Sequence, residues 1–334
     1  MVYSSVVGAA DYTESVSMPE CRICNNLAGN EIFTAREMMF GTGDEFDYFE
    51  CAHCGCLQID TIPPDLSPYY PPEYYSFSVP RLNALKRYFK RQHTRSTLGK
   101  SGVIGWLLNR KYRPPEYVQW VKGAGVAFED AILDVGCGAG QLLMAMHITG
   151  FEDLTGIDPY LAKEVSLGRG LRILRKSMAE LDRRFDFIML HHSFEHLADP
   201  LAALQQIRSL LNPAGRVLIR VPVADSYAWQ TYGVDWVQLD APRHFFLPTS
   251  QSMEILAGQV GFSIIDITYD STAFQFWGSE QYRRGIALRS ERSYGVNPRN
   301  SIFTAAEIRE FENHAVRLNE AGEGDQACFY LRGE

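Results

Sequence analysis

Four cysteines in two knuckles, Cys21-Arg22-Ile23-Cys24 and Cys51-Ala52-His53-Cys54, have the spacing of a metal site. Each C-x-x-C offers two thiolates, and two such pairs make the tetrahedral four-sulfur set that zinc accepts. Cys21, Cys24, Cys51 and Cys54 are therefore the expected zinc ligands, with Cys56 and His53 as spare donors. A redox pair is the alternative reading of a C-x-x-C. Four thiolates leave no open position for water or substrate, so the metal is expected to be structural. A head of about 50 residues buries little core, and a metal staple stabilises it instead.

A second chemical centre lies in Ala131-Ile132-Leu133-Asp134-Val135-Gly136-Cys137-Gly138-Ala139-Gly140. A short apolar strand runs into a glycine-rich turn, and glycines there let backbone approach a ligand at the carboxyl end of the strand. A dinucleotide fingerprint would read G-x-G-x-x-G, but Gln141 stands where the third glycine should be. No Gly-Lys-Ser/Thr follows, so a P-loop is excluded. A carboxylate at Asp134 would repel a pyrophosphate. It suits the amino acid end of S-adenosylmethionine, directly or through water. Asp158, in Leu154-Thr155-Gly156-Ile157-Asp158, ends the next strand, where a carboxylate can accept both ribose hydroxyls. Its plainer reading is a helix N-cap ahead of Pro159.

These residues need a sheet to carry them. Leu171 to Leu174, Phe185 to Leu190, Arg216 to Val221 and Phe262 to Tyr269 read as further strands, and Ala327 to Arg332 as an antiparallel one. Pro200 to Leu211 and Ser250 to Gly261 read as helices, with a turn at Asn212-Pro213-Ala214-Gly215. Alternating strands and helices predict an α/β, Rossmann-like doubly wound sheet of seven strands. Ser177 and Met178, after the third strand, are placed to flank an adenine, and His191 to line the cofactor cleft. Glu31 to Met39 and Phe46 to Glu50 would give the cysteine-rich head two short strands, as in a zinc ribbon. The expected domains are a loose leader over 1–17, a zinc-binding domain over 18–68, an aromatic and basic linker or lid over 69–120, and a catalytic domain over 121–334.

The segment from Ile132 to about Phe262 resembles the class I methyltransferase family. "ILDVGCGAG", "GID", "HHSFEHLADP" and "LNPAGRVLIRVP" match its usual pattern in order. The "CRIC…CAHCGC" head followed by "YYPPEYYSF" is similar to zinc-headed methyltransferases of sugar, polysaccharide and antibiotic pathways. The resemblance implies S-adenosylmethionine as cofactor and a small-molecule acceptor such as a sugar nucleotide or glycan. Methyl transfer is an in-line displacement, and a hydroxyl nucleophile gains from a general base, usually His. His196, preceded by Glu195, and His244 both follow strands on the carboxyl side of the sheet and are the candidate catalytic residues. Each is also readable as a residue that only orients its loop. In the related sugar C-methyltransferases a Tyr-x-Glu-His arrangement occupies the region matching Ala241-Pro242-Arg243-His244. The His is retained, while Tyr and Glu become Ala241 and Arg243. O-methylation is therefore expected over C-methylation, with Arg243 free to bind a substrate phosphate or carboxylate. A lipid-linked or polyketide acceptor, and a non-catalytic binding protein on the same fold, are the competing readings. Tyr69 to Phe77, Trp229, Tyr232, Trp236 and Trp277 are candidates to stack on a sugar, with plain burial as the alternative.

Bulk properties bound the rest. The chain has 334 residues and a net charge of −8, which argues against nucleic acid as the main substrate. No apolar run is long enough for a membrane span, and Met1 to Ala10 lacks the pattern of a signal peptide, so the expected location is cytoplasmic. Five of seven cysteines fall in the first 56 residues, a clustering that points to metal rather than disulfides there. Arg81 to Arg113 carries ten Lys or Arg and no acid, leaving 22 basic against 40 acidic residues elsewhere. Leu82, Leu85, Tyr88 and Phe89 give this segment an apolar helical face. It is expected to pack as helices that cap the cofactor cleft. Alternatively, its charges attract an anionic acceptor, or it touches a membrane surface peripherally.

Overall fold

The computed structural model describes residues 18–70, 84–100, 102–168 and 170–334. The expected leader, and the Pro-rich and basic stretch 71–83, lie outside them. Twelve strands among the described residues form two sheets. The larger is built around β4 (Ala131–Val135), flanked by β5 (Asp153–Ile157) and β8 (Phe185–His191), both parallel to it. Beyond β5 come β7 (Leu171–Leu174) and the two-residue β6 (Val165–Ser166). Beyond β8 come β9 (Leu211–Pro222), then β12 (Gln326–Gly333) and β11 (Phe262–Tyr269), with β12 antiparallel to both. The order is β11-β12-β9-β8-β4-β5-β7-β6. The sheet thus has eight strands rather than the seven expected, because β6 folds back on β7 through residues with no apolar periodicity to betray them.

Both faces of this sheet are covered, so neighbouring residues of a strand enter opposite cores. Leu133, Ile188 and Leu190 face one cluster, and Ile132, Phe187 and Met189 face the other. The second cluster is closed by α3 (Tyr117–Gly123) and α4 (Gln141–Thr149). The first takes α5 (Pro200–Leu210) and α7 (Ser250–Gln259). Asp199 caps α5 by accepting the Ala202 N–H at 2.9 Å, with Pro200 at the first helical position. The expected turn at 212–215 is instead a bulge within β9, where the register to β8 shifts and Asn212 donates to Asp186. Helices α6 (Tyr227–Tyr232), α8 (Phe274–Arg283) and α9 (Ala305–Ala321) add to the elements expected from the sequence.

The smaller sheet has the order β1-β2-β3-β10, from β1 (Glu31–Arg36), β2 (Glu45–Glu50), β3 (Leu57–Ile59) and β10 (Phe246–Leu247). Its fourth strand comes from the far part of the chain. The side chains of Cys21, Tyr48 and Phe49 also belong to the same buried cluster as Leu190 and Val221. The cysteine-rich head is thus sutured into the main body.

The basic segment forms α1 (Ala84–Thr97) and α2 (Val103–Lys111). It does not cap the cofactor cleft. A parallel crossover helix runs back along the sheet, so the end of α4 lies at the opposite edge from the glycine turn. There Arg91 covers Gly150, and Arg87 and Arg91 line a shallow hollow with His147 and Glu152. Leu85, Tyr88 and Phe89 are exposed, so the apolar face expected to pack on the core does not.

Candidate functional site

Strand order reverses between β4 and β8, and in open α/β sheets the crevice at that switch point takes the ligand. The glycine turn after β4 opens into it. Gly136, Gly138 and Gly140 have φ of 72°, 51° and 76°, the left-handed region that side chains rarely adopt. A Cβ on Gly136 would stand 2.5 Å from that of Ser193, and one on Gly140 would overlap the Ile173 side chain. Around Gly138 the same position is open, which leaves its backbone free to meet a ligand.

Asp134 and Asp158 are both buried beside this turn. Burial, with the neighbouring Asp158 adding to it, pushes the Asp134 carboxyl up to about 8. Asp158 accepts the Gly138 N–H at 3.1 Å through one oxygen and the Tyr160 N–H at 2.9 Å through the other. No helix follows Pro159, so Asp158 holds a loop turn rather than a helix N-terminus. Each oxygen keeps a further lone pair for a ligand hydroxyl. Ser177 is exposed and shares a capping box with Glu180, while Met178 is buried in the first core cluster. His191, at the tip of β8, lies with its ring 4.4 Å from that of Trp120. Both of its nitrogens lack a hydrogen-bond partner, and burial pulls it down to about 3.

The turn Phe194–His196 after β8 packs directly on the glycine turn, because Ser193 Oγ donates to the Val135 carbonyl at 2.7 Å. It brings Glu195 and His196 to His244, 48 residues further along the chain: one ligand-type atom from each lies within 4.8 Å of the others. His196 is half-buried and His244 buried. His196 Nδ1 meets the Arg243 carbonyl at 2.7 Å, and His244 Nδ1 meets that of Gln238 at 2.7 Å. Each Nδ1 therefore carries the proton, and each Nε2 is left as the free nitrogen. Burial, only partly offset by Asp240, pulls His244 down to about 4. Glu195 is fully buried, with no hydrogen-bond partner on either oxygen. The ring nitrogens beside it are His192 Nδ1 at 3.5 Å and His244 Nε2 at 3.8 Å. Burial would raise this carboxyl, but the contact with His192 and the other two histidines hold it at about 2.

The four cysteines expected as ligands do converge. Cys21, Cys24, Cys51 and Cys54 have sulfurs within 4.8 Å of one another, with Cys21–Cys54 at 3.7 Å and Cys24–Cys51 at 3.5 Å. Sulfurs around a tetrahedral ion at about 2.3 Å stand roughly 3.8 Å apart, so this set fits zinc. Gln58 Nε2 donates to Cys21 Sγ at 3.0 Å, as a thiolate ligand would require. The spare donors are not used: Cys56 turns its sulfur to the Leu57 carbonyl, and His53 is exposed.

The head also holds the His244 loop, through residues that sequence reasoning missed. Tyr48 donates its hydroxyl to the His244 carbonyl at 2.8 Å. Glu37, fully buried, accepts both terminal nitrogens of Arg243 at 3.1 Å, while Asp240 takes Arg243 Nε at 2.9 Å and Nη2 at 2.6 Å. Arg243 is therefore consumed inside the protein and is not available to a substrate anion, contrary to expectation. The aromatic residues are likewise packed. Trp236 is fully buried and donates to Asp325, and Trp229 stacks beside Phe33 and donates to Glu50. Tyr232 is buried, and Trp277 packs on Phe274 and Tyr294. Tyr69 is tied to the head through Asp44, and Tyr70 reaches the cluster, its hydroxyl 3.4 Å from His196 Nδ1. The rest of the expected aromatic segment, 71–77, lies outside the described residues.

Comparison with known proteins bears on this arrangement. Residues 108–267 match a family model described as a methyltransferase domain. A ubiquinone biosynthesis O-methyltransferase of Aeromonas salmonicida is 27% identical over 160 residues, covering 41% of this chain and 66% of the relative. One from Pseudomonas paraeruginosa is 30% identical over 159 residues, covering 41% of this chain and 67% of the relative. The chain thus spans about two thirds of these relatives and half of others. Among solved structures, a mycolic acid cyclopropane synthase in complex with SAH and CTAB aligns with a TM-score of 0.43 at 17% identity, covering 73% of this chain and 93% of that one.

Proposed function

Because the chain belongs to the S-adenosylmethionine-dependent methyltransferases, we propose that it methylates a hydroxyl of a small-molecule acceptor activated by Glu195, His196 and His244. The observation that carries this reading is the half-buried His196, its Nδ1 held by the Arg243 carbonyl and its turn bolted to the glycine turn through Ser193. In this reading Asp134 faces the methionine ammonium and Asp158 the ribose hydroxyls. Backbone at Gly136, Gly138 and Gly140 lies against the cofactor, with Ser177, Met178 and His191 around its adenine and cleft. When bound, S-adenosylmethionine supplies an electrophilic methyl on a sulfonium. In the metal-free cluster, His196 Nε2 takes the hydroxyl proton as the acceptor oxygen bonds that methyl and the bond to sulfur breaks. Glu195 faces the imidazolium that forms.

The four cysteines hold a structural zinc in the same reading, and residues 18–68, 69–120 and 121–334 serve as head, connector and catalytic domain. A sugar nucleotide or glycan stands first among acceptors on the resemblance of the head and the Tyr-rich segment. An acceptor of ubiquinone biosynthesis stands second, after the names of the relatives. No helix among the described residues is long and apolar enough to cross a membrane. The test is a screen of both acceptor classes with methyl-labelled S-adenosylmethionine. His196→Gln should lower turnover on the acceptor found by about 10²–10⁴-fold with cofactor affinity unchanged. Equal turnover by the variant would refute the assignment.

A further inference from the structure

Glu195 is the anomaly of the site. Its side chain is fully buried, both oxygens lack a hydrogen-bond partner, and it points at two imidazoles whose Nδ1 atoms are already taken by carbonyls. An uncompensated buried carboxylate is costly, and natural interiors pair such groups with a cation or a full set of donors. Among the neighbouring groups, His192 Nδ1 makes one long contact, 3.5 Å from Oε1, which leaves Oε2 without a partner, and Arg243 is spent on Asp240 and Glu37. A ring nitrogen fixed by donating its other N–H to a backbone carbonyl is the usual state of a metal-ligating histidine. Here two such rings meet one carboxylate.

We propose that Glu195, His196 and His244 bind a divalent first-row transition cation, with its remaining positions open to the acceptor oxygen. The donor set is two imidazole nitrogens and one carboxylate oxygen, which suits such ions and leaves coordination sites free, as catalytic rather than structural centres do. Ligand atoms around an ion at about 2.0–2.2 Å stand roughly 3.0–3.4 Å apart. The three atoms, now within 4.8 Å of one another, need draw in by up to about 1.4–1.8 Å. This site differs from the cysteine cluster in donor type and in place: it sits at the tips of β8 and the His244 loop, against the glycine turn. The inference rests on the reading of this cluster as the place where the acceptor is activated. The cation then takes the activating role from the bare imidazole. It acidifies the bound hydroxyl, the proton leaves to water, and the oxygen bonds the methyl as the sulfonium bond breaks.

Mn2+ tests this, because it is a poor competitor for a four-thiolate site. Protein carrying its cysteine-bound metal is stripped of weakly held ions and titrated with Mn2+, with free Mn2+ followed by electron paramagnetic resonance. One Mn2+ per chain is expected, weakened roughly tenfold or more in Glu195→Gln and in His196→Gln, with zinc content unchanged. Glu195→Gln can fail to fold, which a melting curve reveals; the half-buried His196→Gln then carries the test. Co2+ should bind with weak visible bands and no sulfur-to-cobalt absorption. Absence of stoichiometric Mn2+ binding, equal binding by His196→Gln, or a thiolate band with Co2+ overturns the site. If Mn2+ binds as expected and no hydroxyl acceptor is ever methylated, the cation site stands and the proposed function falls. If transfer depends on His196 but no cation binds, the function stands and the site falls.

Discussion

Two clusters of ligand-type side chains, the four cysteines of the head and the Glu195–His196–His244 group, each gather their ligand atoms within 4.8 Å. They differ in almost everything else. The cysteine set is uniform in donor, drawn from two local knuckles, and complete at four. Three of its cysteines are buried and Cys24 is half-buried; Gln58 donates to Cys21 Sγ, and Thr249, at the start of α7, donates to the Cys54 carbonyl at 2.6 Å. The second set is mixed, incomplete at three, and assembled across 48 residues of chain, with a carboxylate whose oxygens have no hydrogen-bond partner. A closed set has no chemistry left to offer a substrate, whereas an open one beside a cofactor turn does. The two are also coupled. Tyr48 and Glu37, on the head side, hold the loop that carries His244. The head therefore reaches the chemistry by positioning a loop.

The sharpest way to break this comparison is to remove the metal proposed for the head. Structural zinc in small domains contributes about 10–16 kcal/mol of apparent binding energy, so Cys51→Ser should lose zinc and unfold the head. Methyl transfer should then fall to background, while the cofactor still binds at the glycine turn. Elemental analysis and calorimetry check both. Retention of full turnover without metal would show that the two clusters are independent.

Cutting the link itself should cost less. Arg243→Ala leaves Glu37 and Asp240 buried without their cation, a loss of about 3–5 kcal/mol. The melting temperature should drop, and among molecules still folded turnover should fall while cofactor affinity holds. A variant as stable as the parent would mean that the network is dispensable.

On the cofactor side, Asp158→Ala should weaken S-adenosylmethionine binding by about 1.5–3 kcal/mol for each ribose hydrogen bond lost, with the fold intact. Unchanged affinity by calorimetry would remove the ribose assignment.

The smallest effect concerns Asp134. Its carboxyl, raised to about 8 by burial, stays protonated in the free protein at neutral pH. A cationic ligand group favours the ionised form, so binding must release that proton. Affinity should therefore rise with pH between about 6 and 7, by up to roughly tenfold or 1.4 kcal/mol per unit. Asp134→Asn should flatten the dependence. The same raised value means that the folded protein holds a proton its unfolded chain releases. Stability from this group is thus full below about pH 4 and declines as pH climbs toward 8.

Much of this was legible in the chain alone. The spacing of Cys21, Cys24, Cys51 and Cys54, and the strand–glycine turn with Asp134 and Asp158, are local patterns, because a knuckle or a turn must be made by consecutive residues. β7 and β11 begin and end where the apolar runs place them. Other features are set by distant partners. β6 and β10 have two residues each and exist only because β7 and β3 offer them edges. The exposed apolar residues of α1 have a helical period, but periodicity cannot say which surface, if any, a helix will cover. The bulge at 212–215 reads as a turn in sequence, since only pairing with β8 keeps it within a strand.

By itself, then, the sequence determined the family of fold, the cysteine set and the glycine turn, since each depends on contacts within a few residues. Tertiary structure alone decided that Arg243 is an internal counter-ion, that the head is sutured to the body through β10, and that Glu195 meets the His196 and His244 rings. These last depend on which residues face each other after stretches of intervening chain, 48 residues from His196 to His244 and 206 from Glu37 to Arg243, have been packed, and burial and charge pairing are properties of that packing.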